Sequence, residues 1–358
     1  MKTWLNRCHF GDVRDVLRQM IADGVKVNTI VTSPPYWGLR SYLPEGHADK
    51  ASEIGSEPTL IEFIATMTEV MMLAREVLAD DGTMWMNMGD CYATGAGKVN
   101  TAPGGGTQGE RWAGVRGDDK LPGIGPVTQA NRMPQAGLKP KDLAGQPWRL
   151  AFALQDAGWW LRQDIIWSKP NPMPESTRDR CTKAHEYIFL MSKSERYYFD
   201  QEAILEPVSP NTHARLSQNV QDQVGSARAN GGTKTNGNMK AVGRKLADGT
   251  DATKNNTSFN EAMAIMPTTR NKRSVWTVPT ESYSGAHFAT FPRALIEPCI
   301  LAGAPAGGVV LDIFMGSGTT AQVAEKLGRR WIGIDIDIRN KPMQDERLQQ
   351  RSLLLEAA

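Results

Sequence analysis

The segment from residue 309 to residue 335 constrains the fold most. An apolar, β-branched run at 309–314 is followed by a glycine-rich turn, a helical stripe at 319–327 and a second apolar run at 331–335. A strand, a tight turn, a helix and a strand in this order form one unit of an open sheet. The same alternation recurs elsewhere, with strands predicted at 28–32, 83–88, 160–167 and 187–191 and helices at 60–78 and 147–157. The sequence therefore predicts an α/β fold with a mostly parallel sheet and helices on both faces.

The composition excludes several classes of protein. The chain has 358 residues, of which 40% are hydrophobic and 22% charged, as is typical of a globular protein with a large core. No apolar run approaches the ~20 residues that cross a bilayer, and no signal-peptide core follows the first residues. We therefore expect a cytoplasmic protein without a membrane partner. Its four cysteines form no CxxC pair and its five histidines are scattered, so we expect neither a disulfide framework nor a metal site.

Two loop-like segments carry most of the positive charge. Residues 207–274 have ten Lys and Arg against four Asp and Glu, and residues 92–147 have seven against four and twelve glycines. These surpluses of six and three leave about −7 for the rest of the chain, because its total is +2. Basic segments with backbone freedom are typical of surfaces that bind phosphates, and a solvated flexible surface has the same composition.

The first motif with chemical content is the glycine-rich turn, which reads Asp-Ile-Phe-Met-Gly-Ser-Gly-Thr-Thr from Asp312 to Thr320. Glycines let a backbone approach a ligand closely, and Asp335 at the end of the next strand is placed to bind two ribose hydroxyls. The spacing lacks the third glycine of a dinucleotide fingerprint and the lysine of a phosphate loop. It favours a nucleoside ligand without a pyrophosphate, and the alternative is a tight turn that needs small residues for packing.

The second motif, Thr-Ser-Pro-Pro-Tyr-Trp at 32–37, follows a buried strand directly. Its two prolines stiffen the turn and remove two N–H donors, which leaves carbonyl oxygens as fixed acceptors. Ser33 adds a hydroxyl, and Tyr36 and Trp37 are expected to place flat rings at the rim. Such a loop suits a planar heterocycle with an exocyclic amine. The alternative is a proline turn whose aromatic residues only cover the core.

Together the two motifs resemble those of the DNA methyltransferases that methylate exocyclic amines with S-adenosylmethionine. In these enzymes the Ser-Pro-Pro-Tyr loop is catalytic and the glycine-rich loop binds the cofactor. Here the catalytic loop comes first in the chain, an order similar to that of the circularly permuted β group, and the resemblance covers most of the chain. It implies a Rossmann-like methyltransferase fold with an irregular target-recognition lobe. The implied division is a catalytic half at 1–91, a Gly-rich insertion at 92–147, more of the core at 148–200, a target-recognition region at 201–275 and a cofactor-binding half at 276–358.

Three further segments resemble parts of that family. Residues 6–12 are similar to its third cofactor-side strand, residues 167–174 to the segment beside the target-base pocket, and residues 287–292 to the segment that closes over the methionine end of the cofactor. The chain departs from the family after the predicted strand at 331–335. There, Asp337 is an alternative to Asp335 as the acidic residue that binds the ribose. The implied cofactor-binding residues are Asp12, Thr32, His287, Phe291, Asp312, Phe314, Gly316, Gly318, Thr319 and Asp335.

The resemblance also implies a mechanism. Ser33, Pro34, Pro35 and Tyr36 are the expected catalytic residues, with the Ser33 hydroxyl and the Pro34 carbonyl accepting the N–H bonds of the amine. The target base must leave the double helix to reach them, and Tyr36 stacks on it. The expected partner is double-stranded DNA, contacted by Trp37, Lys169, Arg178, Arg270, Lys272 and Arg273. Dimers occur in the family, so a homodimer stays open.

The target base is less constrained than the reaction. Ser in the first loop position is associated in the family with cytosine-N4 methylation, whereas Asp or Asn more often marks adenine-N6, so we favour cytosine and keep adenine as the alternative. Cys299 follows a proline as the nucleophile of cytosine-C5 enzymes does, but it lies in an apolar helical stretch and is not expected to react. The rival hypotheses are a methyltransferase of RNA or protein and a catalytically silent DNA-binding protein.

Overall fold

The computed structural model describes residues 3–38, 42–44, 46–93, 137–208, 268–281 and 291–355. The chain divides into two compact units, one formed by Met1–Ala203 with Arg273–Ala358 and the other by Ile204–Lys272. The second unit, in its described part, contains one short antiparallel strand pair. The first unit contains the main sheet. Most of the glycine-rich segment 92–147 and of the basic segment 207–274 lies outside the described residues.

The first unit is built on an eight-stranded sheet with the order β1-β10-β9-β2-β3-β5-β4-β8. All neighbours are parallel except β3 with β5 and β5 with β4, so the predicted mostly parallel α/β sheet is confirmed. The strands are β1 (Arg7–Phe10), β2 (Val27–Thr32), β3 (Leu78–Met88), β4 (Trp160–Ser168), β5 (His185–Ser192), β6 (Glu206–Pro207), β7 (Thr269–Arg270), β8 (Val275–Thr277), β9 (Val309–Asp312) and β10 (Arg330–Asp335).

Helices cover both faces of this sheet. They are α1 (Val13–Ala22), α2 (Leu60–Val77), α3 (Gln146–Asp156), α4 (Arg293–Gly303), α5 (Thr319–Lys326) and α6 (Lys341–Leu355). Because side chains alternate along a strand, Ile30 joins the core under α1, α2 and α3, whereas Thr29 points to α4, where Gly303 leaves room for its hydroxyl. The helix α2 begins at a capping box, in which Thr59 and Glu62 bond each other's backbone N–H groups.

The two halves of the chain meet at the centre of the sheet. The strand β2 comes early in the sequence and β9 late, yet they lie side by side with Thr29 opposite Val310 and Ile30 opposite Leu311. Both strands point the same way, so the segments after Thr32 and after Asp312 leave the same edge of the sheet. Ligands of open α/β sheets bind at the carboxyl ends of neighbouring strands, and this edge is therefore the expected place of a site.

One predicted element boundary is wrong. The sequence predicts a helix at 60–78 and a strand that begins at residue 83, but β3 begins at Leu78, directly after α2. The extra residues are absorbed by a register shift, since Val27 pairs with Leu78 and Thr29 with Thr83. Within the described residues, the helices include none that is long and apolar enough to cross a membrane.

Candidate active site

A cavity of about 800 Å³ opens at the carboxyl edge of the sheet. Its walls come from both sequence motifs: Ser33, Pro34, Pro35 and Tyr36 on one side, and residues 312–317 with Thr319 on the other. The two motifs are joined below the cavity, where the Thr32 hydroxyl donates to Asp312 Oδ1 over 2.8 Å. The structure thus brings the two predicted loops into one site.

Asp312 holds the glycine-rich loop in place. Its carboxylate is 2% exposed and accepts hydrogen bonds from the Thr320 hydroxyl at 2.6 Å and from the backbone N–H of Phe314 at 3.1 Å, besides the bond from Thr32. Burial raises the pKa of Asp312, and these donors counteract the rise. The carboxylate therefore ties β2, the loop and the first turn of α5 together.

The glycine-rich loop requires its glycines for two different reasons. Gly316 has φ +51° and lines the cavity, so its bare backbone faces the space where a ligand would lie. Gly318, which precedes α5, has φ +84°, a left-handed backbone conformation that residues with a Cβ rarely adopt. The loop is fixed to β10 by a bond of 2.8 Å from the Met315 N–H to the Ile334 carbonyl.

Asp335 ends β10 and faces the cavity while being only 7% exposed. Its Oδ1 accepts the N–H of Asp337 at 2.9 Å, and its Oδ2 accepts the amide groups of Asn340 at 3.0 Å and Gln344 at 3.3 Å. Burial raises the pKa of Asp335 to about 7, with the nearby carboxylates adding to the effect. Asp337 differs, because both of its oxygens are bound by Arg339.

The Ser-Pro-Pro-Tyr loop ends on a carboxylate from a distant strand. The Tyr36 hydroxyl donates to Glu186 Oε2 over 2.9 Å. Burial, with the charge of Glu186, keeps the pKa of Tyr36 well above its ordinary value, so the phenol keeps its proton. Lys169 forms a close ion pair with Glu186 Oε1.

The sequence matches the DNA methylase family of the N6/N4 type over residues 27–343. The chain belongs to this family of DNA methyltransferases. It is 38% identical to the Type II methyltransferase M.SmaI of Serratia marcescens, over 95% of this chain and 90% of that protein. It is also 38% identical to M.Cfr9I of Citrobacter freundii, over 91% of this chain and 82% of that one.

The fold is shared with solved methyltransferases. PvuII DNA methyltransferase, described as cytosine-N4-specific, superposes on this chain with a TM-score of 0.53 at 16% sequence identity. The superposition covers 95% of this chain and 85% of the PvuII chain. S-adenosylmethionine is the methyl donor of the family, which confirms the cofactor predicted from the two motifs. Membership of the circularly permuted β group stays a prediction.

The cavity of the methylase fits this cofactor. A buried carboxylate at Asp335 suits the ribose hydroxyls, and the side chains of Phe314, Met315 and Ile334 offer apolar surface for a purine ring. Lys169 and Lys183 are the cations among the described lining residues, which include eight acidic ones. Six of these acidic residues are paired with a lysine or an arginine, which reduces the charge that they present to a ligand: Asp12, Glu53, Glu175, Glu186, Glu281 and Asp337.

Several other predicted residues of the methylase have defined positions. Asp12 lines the cavity, caps α1 and pairs with Arg14 at 2.5 Å. Partial burial opposes this pair, but the bonds from Arg14 prevail and lower the pKa of Asp12. Phe291 and Thr319 also line the cavity, and the Thr319 hydroxyl accepts a bond from Arg347. Thr32 and Gly318 are not among the described lining residues. Thr32 bonds Asp312 at the start of the glycine-rich loop, and Gly318 joins that loop to α5.

The prediction for Trp37 is wrong. Its ring was expected at the rim as a stacking surface for DNA, but it is 1% exposed and belongs to the hydrophobic core. Its indole N–H donates to the Glu57 carbonyl at 2.9 Å, and its backbone N–H donates to Gln146 Oε1 at 2.9 Å. The alternative interpretation of the motif, aromatic residues covering the core, is therefore correct for this residue.

The predicted DNA contacts fall in different environments. Lys169 lines the cavity, with its ammonium 4.2 Å from the ring centre of Trp167. Arg178 is exposed and is not among the described lining residues. In the second unit, Arg270 pairs with Glu206 at 2.9 Å. Arg273 is exposed and Lys272 partly so. These DNA-binding roles stay predictions. His287, which is predicted to bind the cofactor, lies outside the described residues.

Sequence reasoning missed part of the wall. Glu186 and Asn87 come from β5 and β3, which are antiparallel neighbours, and Asn87 Nδ2 donates to Glu186 Oε2 at 3.3 Å. The signal in the sequence was a charged residue beside an apolar run in the β5 segment. Lys183 also lines the cavity, and burial lowers its pKa. The described residues contain no group of three side chains that could hold a metal ion.

Proposed function

We propose that this methyltransferase transfers the methyl group of S-adenosylmethionine to the exocyclic amine of a base flipped out of duplex DNA, with cytosine-N4 preferred to adenine-N6. The observation that carries the proposal is the single cavity lined by the Ser-Pro-Pro-Tyr loop and by the glycine-rich loop. A group held at the second loop and a base held at the first are then close enough for direct transfer.

The glycine-rich side binds the cofactor. Asp335 would accept the ribose hydroxyls, Gly316 would let the backbone come close to the cofactor, and the side chain of Phe314 would offer apolar surface to the adenine. When bound, S-adenosylmethionine supplies an electrophilic methyl group on a sulfonium. Asp12 and Phe291 complete the side that faces the cofactor.

The Ser-Pro-Pro-Tyr side binds the amine. The lone pair of an exocyclic amine is conjugated with its ring and is a weak nucleophile. Two acceptors, the Ser33 hydroxyl oxygen and the Pro34 carbonyl, bind its N–H groups and favour a pyramidal nitrogen whose lone pair points at the methyl group. Pro35 stiffens the turn. A base inside a duplex cannot reach the bottom of such a cavity, so it must be flipped out and stacks on Tyr36.

Two features support cytosine over adenine. The first is Ser33 itself, because serine at this position of the family motif is associated with N4 methylation. The second is the ammonium of Lys169, which lines the same cavity and is paired with Glu186. The edge of cytosine carries two adjacent acceptors, N3 and O2, next to its amine, whereas adenine carries only N1 on that side. A lysine donor therefore has one more partner on cytosine.

The test is nucleoside analysis after methylation of a mixed-sequence DNA duplex. Mass spectrometry is expected to find N4-methylcytosine, and Ser33→Ala is expected to lower the yield at least ~100-fold. Ser194→Ala is the matched control, since its hydroxyl bonds the carbonyls of Asp80 and Arg196 at the surface. N6-methyladenine without N4-methylcytosine would reassign the base, and transfer to neither base would contradict the proposed reaction.

A further inference from the structure

Two short segments, residues 171–175 and 280–281, form the rim of the cavity. The described lining residues that are exposed to solvent all come from these segments: Asn171, Met173, Glu175, Thr280 and Glu281. The Ser-Pro-Pro-Tyr loop and the glycine-rich loop lie deeper, because their lining residues are buried or half-buried. A base that reaches these loops through this opening therefore passes the rim.

Met173 is the only apolar residue among these five rim residues, and it is 86% exposed. The next most exposed large hydrophobic residue in the described ranges is Ile61, at 73%. A single exposed apolar side chain is common on protein surfaces and needs no partner. Two further features distinguish Met173: its place at the opening of the cavity and the way in which its loop is supported.

The loop that carries Met173 is stiff and is anchored on both sides. Three prolines restrict its backbone, and each also restricts the residue before it: Pro170, Pro172 and Pro174. On one side of Met173, Asn171 Oδ1 accepts the backbone N–H of Thr280 at 3.0 Å. On the other side, the carboxylate of Glu175 pairs with Arg180 at 2.6 Å. The methionine side chain is therefore presented to solvent by a backbone with little freedom.

The charges around the rim are compatible with a nucleic acid. Both rim carboxylates face a cation, since Glu175 is paired with Arg180 and Glu281 with Arg293 at 3.3 Å. The exposed Arg178 in the same loop offers a guanidinium to phosphates. Proteins that enter between stacked bases use an apolar side chain, methionine included, beside basic residues that bind the backbone. This combination favours DNA over an apolar protein partner for Met173.

We propose that Met173 enters the DNA duplex in place of the target base and keeps that base in the cavity. The inference rests on the proposed function, because it requires a base that is flipped out of duplex DNA. Such a base leaves a gap in the stack, and an apolar side chain that fills the gap recovers part of the lost contact. Methionine is unbranched and flexible, so it fits between flat rings.

The test compares two duplexes that contain the methylated site, which base-resolution mapping of the product identifies first. One duplex is fully paired, and the other has a mismatch opposite the target base. A mismatched base costs less to flip, so its methylation depends less on a side chain that fills the gap. Relative to wild type on the same duplex, Met173→Ala is expected to lower the single-turnover rate at least ~10-fold on the paired duplex and less than ~3-fold on the mismatched one.

Equal losses on the two duplexes would overturn the inference, because a variant that only damages the fold is not rescued by a change in the substrate. An unchanged rate on the paired duplex would also overturn it and would leave Met173 to another partner. Met173→Leu keeps an apolar side chain of similar volume and is expected to retain most of the rate on the paired duplex. A leucine variant as slow as the alanine variant would count against the proposal.

Two further measurements complete the experiment. Ile61→Ala is the matched control, because Ile61 is exposed on α2 and is not among the described residues that line the cavity. Its rates should equal those of wild type on both duplexes. The dissociation constant of S-adenosylmethionine, measured by calorimetry, should be unchanged in Met173→Ala. A parallel loss of cofactor affinity would mean that Met173 acts on the cofactor side, and this would overturn the inference.

Failure of this inference is distinguishable from failure of the proposed function. A wild-type enzyme that methylates neither cytosine nor adenine in duplex DNA contradicts the proposed function itself. An active wild type whose Met173→Ala variant loses the same factor on both duplexes contradicts only the role of Met173.

Discussion

Thr32 and Asp312 are 280 positions apart in the chain, and the Thr32 hydroxyl donates to Asp312 Oδ1 over 2.8 Å with both side chains buried. The bond joins the last residue of β2 to the last residue of β9, so it connects the two loops that line the cavity. Together with the pairing of β2 and β9, this hydrogen bond fixes the loop that we propose to bind the base relative to the loop that we propose to bind the cofactor.

Replacing Thr32 by valine is expected to weaken cofactor binding more than it changes the fold. Valine fills the same space but cannot donate, so a buried carboxylate oxygen of Asp312 loses one of its donors. Such a loss costs about 1–3 kcal/mol, which we expect to be divided between the free energy of unfolding and the affinity for S-adenosylmethionine. Calorimetry and denaturant unfolding measure the two parts. Thr68→Val, which removes only a bond to the Ile64 carbonyl within α2, is the control.

The affinity for S-adenosylmethionine is expected to depend on pH through Asp335. Burial raises its pKa to about 7, and only the ionised carboxylate accepts both ribose hydroxyls. Affinity should therefore fall about tenfold for each pH unit below 7 and level off above it. Calorimetry from pH 5.5 to 8.5 tests this. In Asp335→Asn the affinity should be low and flat across the same range, which separates Asp335 from Asp312, whose pKa burial also raises.

The stability of the free enzyme should change in the opposite direction with pH. Between the usual pKa of an aspartate and about 7, the folded chain holds a proton on Asp335 that the unfolded chain has released. The contribution of Asp335 to stability is thus fully present below the unfolded pKa and is lost as the pH rises through 7. Wild type is therefore expected to lose more unfolding free energy than Asp335→Asn between pH 6 and pH 8. Equal slopes in denaturant titrations would contradict this.

Local patterns in the sequence were enough for most elements of the sheet. The runs of apolar and β-branched residues in β2, β9 and β10 report burial on both faces, and the two loops follow these strands directly. The motifs of the site therefore lie at strand ends that the sequence already marked. The boundary of β3 was harder, because its first residues continue from α2 without a turn and enter a bulge.

Glu186 and Trp37 show what local patterns leave out. Glu186 meets Tyr36 only because β5 runs antiparallel beside β3, a pairing that no short-range signal contains. Trp37 ends a loop motif in the sequence, so its ring was expected to be exposed. Its hydrogen-bond partners at Glu57 and Gln146, which lie 20 and 109 positions away, hold it in the core instead. Both outcomes depend on long-range contacts, and the direction of a side chain after a strand end follows from those contacts.

Variants of Trp37 are expected to affect stability rather than DNA binding. Trp37→Ala should lower the unfolding free energy by about 3–5 kcal/mol because it leaves a large cavity in the core. Trp37→Phe keeps most of the volume but leaves the Glu57 carbonyl without its donor, at a cost of about 1–3 kcal/mol. The folded Phe variant should bind DNA as wild type does. Trp160→Phe, at an exposed tryptophan, is the control for unfolding.

The basic residues after β7 are expected to contribute to DNA binding through phosphate contacts. Replacing Lys272 and Arg273 by glutamine should reduce the slope of log K against the logarithm of the salt concentration by about 2. Each phosphate contact contributes about 0.9 to this slope. Adding Arg270→Gln should lower the slope by about one further contact if the Arg270 guanidinium, which is paired with Glu206, also reaches a phosphate.

Fluorescence anisotropy with a labelled duplex between 50 and 200 mM salt measures these slopes. The control is Lys326→Gln, because Lys326 on α5 is paired with Glu297 on α4. Cofactor affinity should stay nearly unchanged in all of these variants, because none of the altered residues is among those that line the cavity. A parallel loss of cofactor binding would mean that Lys272 and Arg273 maintain the fold, and a slope equal to that of wild type would remove them from the DNA interface.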